Sequence, residues 1–313
     1  MITIVNRIAP IIILLVIGKV LQSKAFISDE TIAGIKKLVV NVALPAVLFL
    51  SFLTVDFQPR FFLFIPAIFA YCVLLYLLGR VLQRPLRFEG EYAPFLTTGF
   101  EYGLIGVSLF GAAYGLEQLG KLAIIDLGHE IFIWLFFVVL LINKRDGGTD
   151  MRKVAGLFAR SPVILAILAS LALNLSGLSE RLVTSPWAGG FMATLELVGG
   201  LTVPLILIVV GYGIRLDGNE IFYSVKIVLV RLAINIPVAL LLNRFVIRGL
   251  MGLDPGFEAA LFTLLILPPP FVLNLFMNQD LKDELHRVDN TLTLHTIISV
   301  FLFIVYYALN PLI

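Results

Sequence analysis

Apolar residues in this chain come in blocks, and the blocks have the length of a lipid bilayer. A helix needs about 20 mostly apolar residues to cross some 30 Å of hydrocarbon. Across 313 residues the chain is 59% hydrophobic and only 14% charged, whereas a soluble domain carries about 25% charged residues. In lipid every backbone group must find its partner within the protein, so spans are helices or closed barrels. The pattern predicts an all-α membrane protein with ten transmembrane helices, at 3–22, 31–54, 60–82, 92–115, 118–142, 161–178, 188–214, 220–243, 256–278 and 287–309. The longest hydrophilic gap, 143–160, reads as a loop, which leaves no room for a soluble domain. Residues 3–22 lack a basic start and a small-residue cleavage site, so they read as a retained span rather than a signal peptide. The one cysteine, Cys72, sits in an apolar run and reads as a small buried residue.

Lysine and arginine set the orientation. Sixteen of the 23 fall in loops and span ends on one side, among them Lys36, Arg80, Lys144 and Arg215; six fall on the other, and Arg231 lies within a span. The basic side is cytoplasmic by the positive-inside rule. Ten spans then put both termini on the non-cytoplasmic side of a cytoplasmic (inner or plasma) membrane. A net charge of +2 gives no reason to expect nucleic acid as a partner.

The ninth span contains LLILPPPFVLNLFMNQD, with Pro268, Pro269 and Pro270 in succession. Each proline lacks a donor and clashes with the preceding turn, so a regular helix cannot pass through them. Such a break must face protein or a water-filled cavity, and secondary transporters place their substrate at such discontinuities. Ten spans also divide into two halves of five with opposite orientation. Residues 41–55 align with 200–214, Pro45 over Pro204; residues 101–115 align with 267–281, Ser108 over Asn274. The first half is therefore residues 1–142, the second 161–313. The fourth span is rich in glycine, including Gly99, Gly103 and Gly106, and glycine breaks helices by its own route. Matched interruptions in two inverted halves point to a transporter binding site.

The stretches KKLVVNVALPAVLFLSF (36–52), YGLIGVSLFGAAYG (102–115), AIIDLGHEIFIW (123–134), LTVPLILIVVGYGIRL (201–216) and LPPPFVLNLFMNQD (267–280), taken in order, resemble the auxin efflux carrier family. That family includes plant PIN carriers and bacterial organic-anion transporters. The resemblance implies a ten-helix fold related to bile acid/sodium symporters and sodium/proton antiporters. It implies a scaffold of spans 1, 2, 6 and 7 and a mobile core of spans 3–5 and 8–10, with broken spans 4 and 9 crossing at the midplane. Two departures stand out: the fourth-span crossover reads Gly106-Val107-Ser108 with no proline, and His129 stands where the family often has asparagine.

Ionisable residues at membrane depth are costly, roughly 2.5–3.5 kcal/mol on insertion scales, and are functional candidates for that reason. The candidates for a charge or proton-coupling network are Glu101, Asp126, His129, Glu130 and His295; Asp126, His129 and Glu130 share one side of the fifth span. Arg231 has two open roles: a permanent partner for Glu101 or Glu130, or a charge offered to an anionic substrate. The resemblance gives Asn274 contact with a substrate carboxylate. Ser108, Gly106, Pro269, Pro270 and Asn41 complete the candidate substrate set. No nucleotide loop, metalloprotease motif or hydrolase elbow is present, so no enzyme activity is expected. The expected activity is transport of small organic anions, mono- or dicarboxylates, by alternating access with an elevator-type core. No cofactor is expected beyond H⁺ or Na⁺ as a coupling ion. The expected partners are the substrate, the bilayer and, as an open alternative, a second copy of the chain. A sodium-coupled anion symporter and a receptor on a transporter fold are the rival readings.

Overall fold

The computed structural model describes residues 2–148, 151–185, 187–218 and 220–311, and every regular element among them is a helix. In chain order they are α1 (Ile2–Ser23), α2 (Asp29–Thr54), α3 (Pro59–Gln83), the short α4 (Ala93–Leu96), α5 (Tyr102–Tyr114), α6 (Leu116–Asp146) and α7 (Met151–Ala159). There follow α8 (Pro162–Leu175), α9 (Leu178–Thr184), α10 (Gly189–Gly213), α11 (Ile221–Leu250), α12 (Pro255–Ile266), α13 (Val272–Phe276) and α14 (Lys282–Leu309).

Seven of these, α1, α2, α3, α6, α10, α11 and α14, are long and apolar enough to cross a membrane, and α8 with α9, bent by 100°, makes an eighth if the pair is one span. Large apolar side chains lie exposed along their outer faces, for example Ile13 on α1, Leu77 on α3, Leu229 on α11 and Phe301 on α14. Contiguous apolar surface of this extent needs lipid against it. The chain is a multi-pass all-α membrane protein. α5 and α12 are apolar but short; the 12 residues of α12 reach about 18 Å at 1.5 Å each, well short of the roughly 30 Å hydrocarbon layer. Gly256 to Ile266 of α12 are all buried, so this half-length helix is surrounded by protein.

The 143–160 connection is not the plain loop its polarity suggests. α6 continues to Asp146, and α7 forms after residues 149 and 150, which lie outside the described residues. Val154 and Phe158, four apart, give α7 an apolar edge; Val154 is buried and the Phe158 ring lies 6.3 Å from Trp134.

Packing is selective. α1 lies on α10, and α2 on α8 and α10; α3 lies on α6, α11 on α14 and α12, and α12 on α6. Pro45 and Pro204 lie inside α2 and α10, each just after a local change of winding, the π-turn Val39–Ala43 and the turn at Leu201, the kind of place where a helix accommodates a missing N–H. At its start α2 is capped by Ser28, whose Oγ accepts from the Thr31 amide at 3.2 Å. The adjoining Asp29 carboxylate accepts from Tyr212 Oη and Arg215 Nη2, both at 2.7 Å. That ties the start of α2 to the end of α10.

α1 and α10 touch backbone to backbone at Gly211, where a Cβ would run into Leu15 main-chain atoms. Gly211→Val should therefore separate the two helices and lower stability by about 2 kcal/mol or more. Gly200→Ala, at a position with open space around it, should change stability by less than about 0.5 kcal/mol. Thermal unfolding of both variants in detergent checks the contrast; equal melting temperatures would remove the close approach.

Candidate functional site

Two interruptions meet inside the bundle. The first covers residues 97–101, between α4 and α5. Thr97 Oγ1 donates to Pro94 O at 2.7 Å and lies 3.2 Å from Leu75 O, and Thr98 Oγ1 donates to Cys72 O, which fastens the break to α3. Gly99 follows with φ +67°, a conformation that costs a side chain about 1–2 kcal/mol. A Cβ on Gly99 would also stand 2.8 Å from Pro270 Cγ. The second interruption covers residues 267–271. Pro268, Pro269 and Pro270 have no N–H to leave unpaired, and all three are buried. The Glu101 amide donates to Pro268 O at 2.8 Å, joining the two breaks directly.

The first break lies earlier than its sequence suggested. Gly106 and Ser108 sit within the helical turns of α5; Ser108 is fully buried with its hydroxyl returned to Ile105 O at 3.1 Å, and Gly106 packs near Leu267. Proline-free helix can continue through Gly106, whereas Gly99 cannot be helical at its positive φ. The helices resume at Tyr102 and Val272. Glu101 therefore corresponds to Phe271, one helical turn from the register that sets Ser108 over Asn274.

Helix ends leave carbonyls and amides without partners, and two charged side chains take them. Arg231, on α11 and 1% exposed, donates through Nη1 to Leu96 O (3.4 Å) and through Nη2 to Gly99 O (2.6 Å) and Leu267 O (3.1 Å). Its guanidinium carbon lies 5.2 Å from the Phe100 ring centre. The carbonyls after α4 and α12 thus share one cation. Glu101 serves the opposite ends: Oε1 accepts from the Leu104 amide at 3.2 Å and Oε2 from the Phe271 amide at 2.6 Å. Among the described residues Arg231 forms no ion pair with Glu101 or Glu130, so the expected carboxylate pairing is corrected. Its side chain is buried among backbone carbonyls and does not line the cavity beside the breaks.

α6 contributes the next layer. His129 Nε2 accepts from the Phe100 amide at 2.9 Å, so the proton of the neutral ring sits on Nδ1 and is donated to Asp126 Oδ1 at 2.8 Å. Asp126 and His129 are both buried. Their task in this arrangement is to hold a main-chain amide of the first break. Glu130 is half-buried one turn on. His295 is fully buried on α14, and among the described residues neither of its ring nitrogens has a hydrogen-bond partner.

Beside the breaks lies a cavity of about 290 Å³, walled by Ile32 and Lys36 of α2, the end of α10, Phe271, Asn274 and the Asp289 face of α14. Lys36 Nζ lies 5.7 Å from the Phe271 ring centre. Asn274 Nδ2 donates to the Asp289 carboxylate. Of the candidate substrate residues Asn274 alone lines this space. Pro269 and Pro270 form the break behind it, and Asn41 is exposed on α2 with its amide returned to Lys37 O at 2.8 Å. Lys36 and Asp289 were not in the sequence-derived set. In the sequence Lys36 stands out only as a cytoplasmic charge, although Ile32 and Lys36 share a helical face. Asp289, Thr293 and Thr296 form a polar stripe at helical spacing, all three on the cavity wall.

No family model matches the chain, and no curated protein matches it.

Gly99→Ala should cost about 2–5 kcal/mol, the sum of an unfavourable φ and a collision with Pro270. His129→Ala should cost about 2–4 kcal/mol, because it strips a partner from the Phe100 amide and from Asp126. Thermal or denaturant unfolding in detergent measures both, and a variant as stable as wild type would show that the break does not need that residue.

Proposed function

We propose that this chain is a secondary transporter of small organic anions, with the Lys36–Asn274 cavity as its substrate site and the auxin efflux carriers as its family. The observation that carries the reading is the direct meeting of two interrupted helices beside a cavity with one amide and one cation on its wall. Non-helical backbone at membrane depth is tolerated where it is buried in protein or lines a cavity, and carriers use it to build binding sites. A volume near 290 Å³ suits a small molecule.

Ten spans are reached when the bent pair α8–α9 and the two broken pairs, α4–α5 and α12–α13, join the seven long helices. The packing pattern supports an inverted repeat. α1 on α10 is matched by α8 on α2, and α3 on α6 by α11 on α14; each match exchanges a span with the one five places on. Spans 1, 2, 6 and 7 make a scaffold in this reading, and the others a core that moves against it in alternating access. The cavity lies toward the Lys/Arg-rich face that holds Lys36, Lys37, Arg215 and Arg287, which the reading takes as cytoplasmic, with both termini outside.

Among the described residues on the cavity wall, Lys36 is the only cation and Asp289 the only carboxylate. Lys36 supplies the charge for a substrate carboxylate. Asn274 supplies a donor once its amide leaves Asp289, an exchange that protonation of Asp289 favours. Anion entry is thereby linked to a proton.

The test is counterflow of radiolabelled mono- and dicarboxylates into liposomes containing the purified protein. Lys36→Gln should raise KM roughly tenfold to a hundredfold, the worth of a charge-assisted hydrogen bond, with smaller loss of folded protein. Asn274→Ala should weaken binding in the same direction. Wild-type uptake should rise as pH falls, and Asp289→Asn should flatten that dependence. Absence of flux for every carboxylate, with folded protein in the vesicles, would overturn the assignment.

A further inference from the structure

Three backbone carbonyls from two different helix ends converge on a single guanidinium. Leu96 O, Gly99 O and Leu267 O all accept from Arg231, which is 1% exposed. Unwound carbonyls and half-helix C-terminal ends are what carriers of this general build offer to a coupling sodium ion. Here they are already taken by a cation that arrives covalently, on the unbroken helix α11. The opposite polarity is settled in the same way, with the Glu101 carboxylate on the Leu104 and Phe271 amides.

We propose that Arg231 is a tethered counter-cation standing in the place of a coupling sodium ion, so that the crossover is complete without sodium, and that removing its guanidinium creates a site for a free monovalent cation. Arginine fits this task better than lysine would. Its planar fork reaches both helix ends at once, Nη1 on Leu96 O and Nη2 on Gly99 O and Leu267 O, with Nε unpartnered among the described residues, whereas an ammonium is a compact point charge. The side chain is a positioning residue: it holds α4 and α12 end to end, and it faces backbone and the Phe100 ring rather than the cavity. The inference uses the geometry of the two breaks and not the chemistry of the cargo, so it stands or falls separately from the anion assignment.

Thermal unfolding of the purified full-length protein in detergent tests it, with choline, sodium or guanidinium chloride at equal millimolar concentration. Wild type should melt at the same temperature in sodium as in choline. Arg231→Ala should melt about 10 °C lower and should recover several degrees in guanidinium, and some in sodium, because a ion bound only by the folded state stabilises it. Where Arg231→Ala yields no folded protein, Arg231→Lys and Arg231→Gln replace it, and the lysine variant should melt several degrees above the glutamine variant. A wild type that is stabilised by sodium would overturn the proposal. So would an Arg231→Ala protein that ignores guanidinium, or lysine and glutamine variants that melt together.

Discussion

Backbone groups that lose their helical partners inside an apolar layer set the terms for everything else in this protein. An unpaired buried amide or carbonyl costs on the order of 1–3 kcal/mol, and no water is at hand in lipid to take it. Two helices stop short here, and their loose ends are drawn together. Proline removes three donors at 268–270, threonine hydroxyls tie the first break to α3, and Glu101 N–H reaches across to Pro268 O. Arg231 and Glu101 then take the carbonyls at one pair of ends and amides at the other. Opposite charges at opposite helix ends also follow the sign of the helix dipole. Among the described residues the two side chains form no ion pair with each other; each is bonded to backbone.

Much of the frame was legible in the residues. Apolar block length fixes the class, and Pro268–Pro270 cannot be anything but a break. Asp126 and His129, three apart at membrane depth, are a pair by spacing alone. What failed was the partner of Arg231. A buried cation invites a search for a carboxylate, because carboxylates are visible as letters, whereas every residue carries a carbonyl and its availability depends on where a helix ends. The place of the first break was missed for a related reason. Five glycines between 99 and 115 look equivalent in sequence, yet only Gly99 and Gly115 adopt positive φ. Lys36 and Asp289 were missed because each lies near a span end, where a charge costs little and draws no attention.

Both charged residues at the breaks also limit what the cavity can bind. Helix N-termini are ready anion sites, but the Phe271 and Leu104 amides are occupied by Glu101. In the proposed carrier an anion therefore depends on side chains, Lys36 and Asn274, rather than on the helix ends. That shifts selectivity from backbone geometry, which varies little, to two replaceable residues.

In the proposed carrier the elements that carry these groups divide between two bodies. Arg231 on α11, Glu101 ahead of α5, His129 on α6 and the proline break before α13, joined by hydrogen bonds, would belong to the core. Lys36 on α2 and the end of α10 belong to the other, fastened to each other through Asp29 and Arg215. In that reading the cavity lies on the seam, lined by Asn274 and Asp289 of the core and by Lys36 of the scaffold. In that reading the hydrogen bonds of Arg231 and Glu101 stay within the core, so they need not break when the core moves. A ligand held between Lys36 and Asn274 touches both bodies, so sliding one past the other changes its grip and its access together. In the proposed mechanism the internal charge clamp is therefore a precondition for movement, and the weak, two-sided cavity is where that movement acts on the cargo.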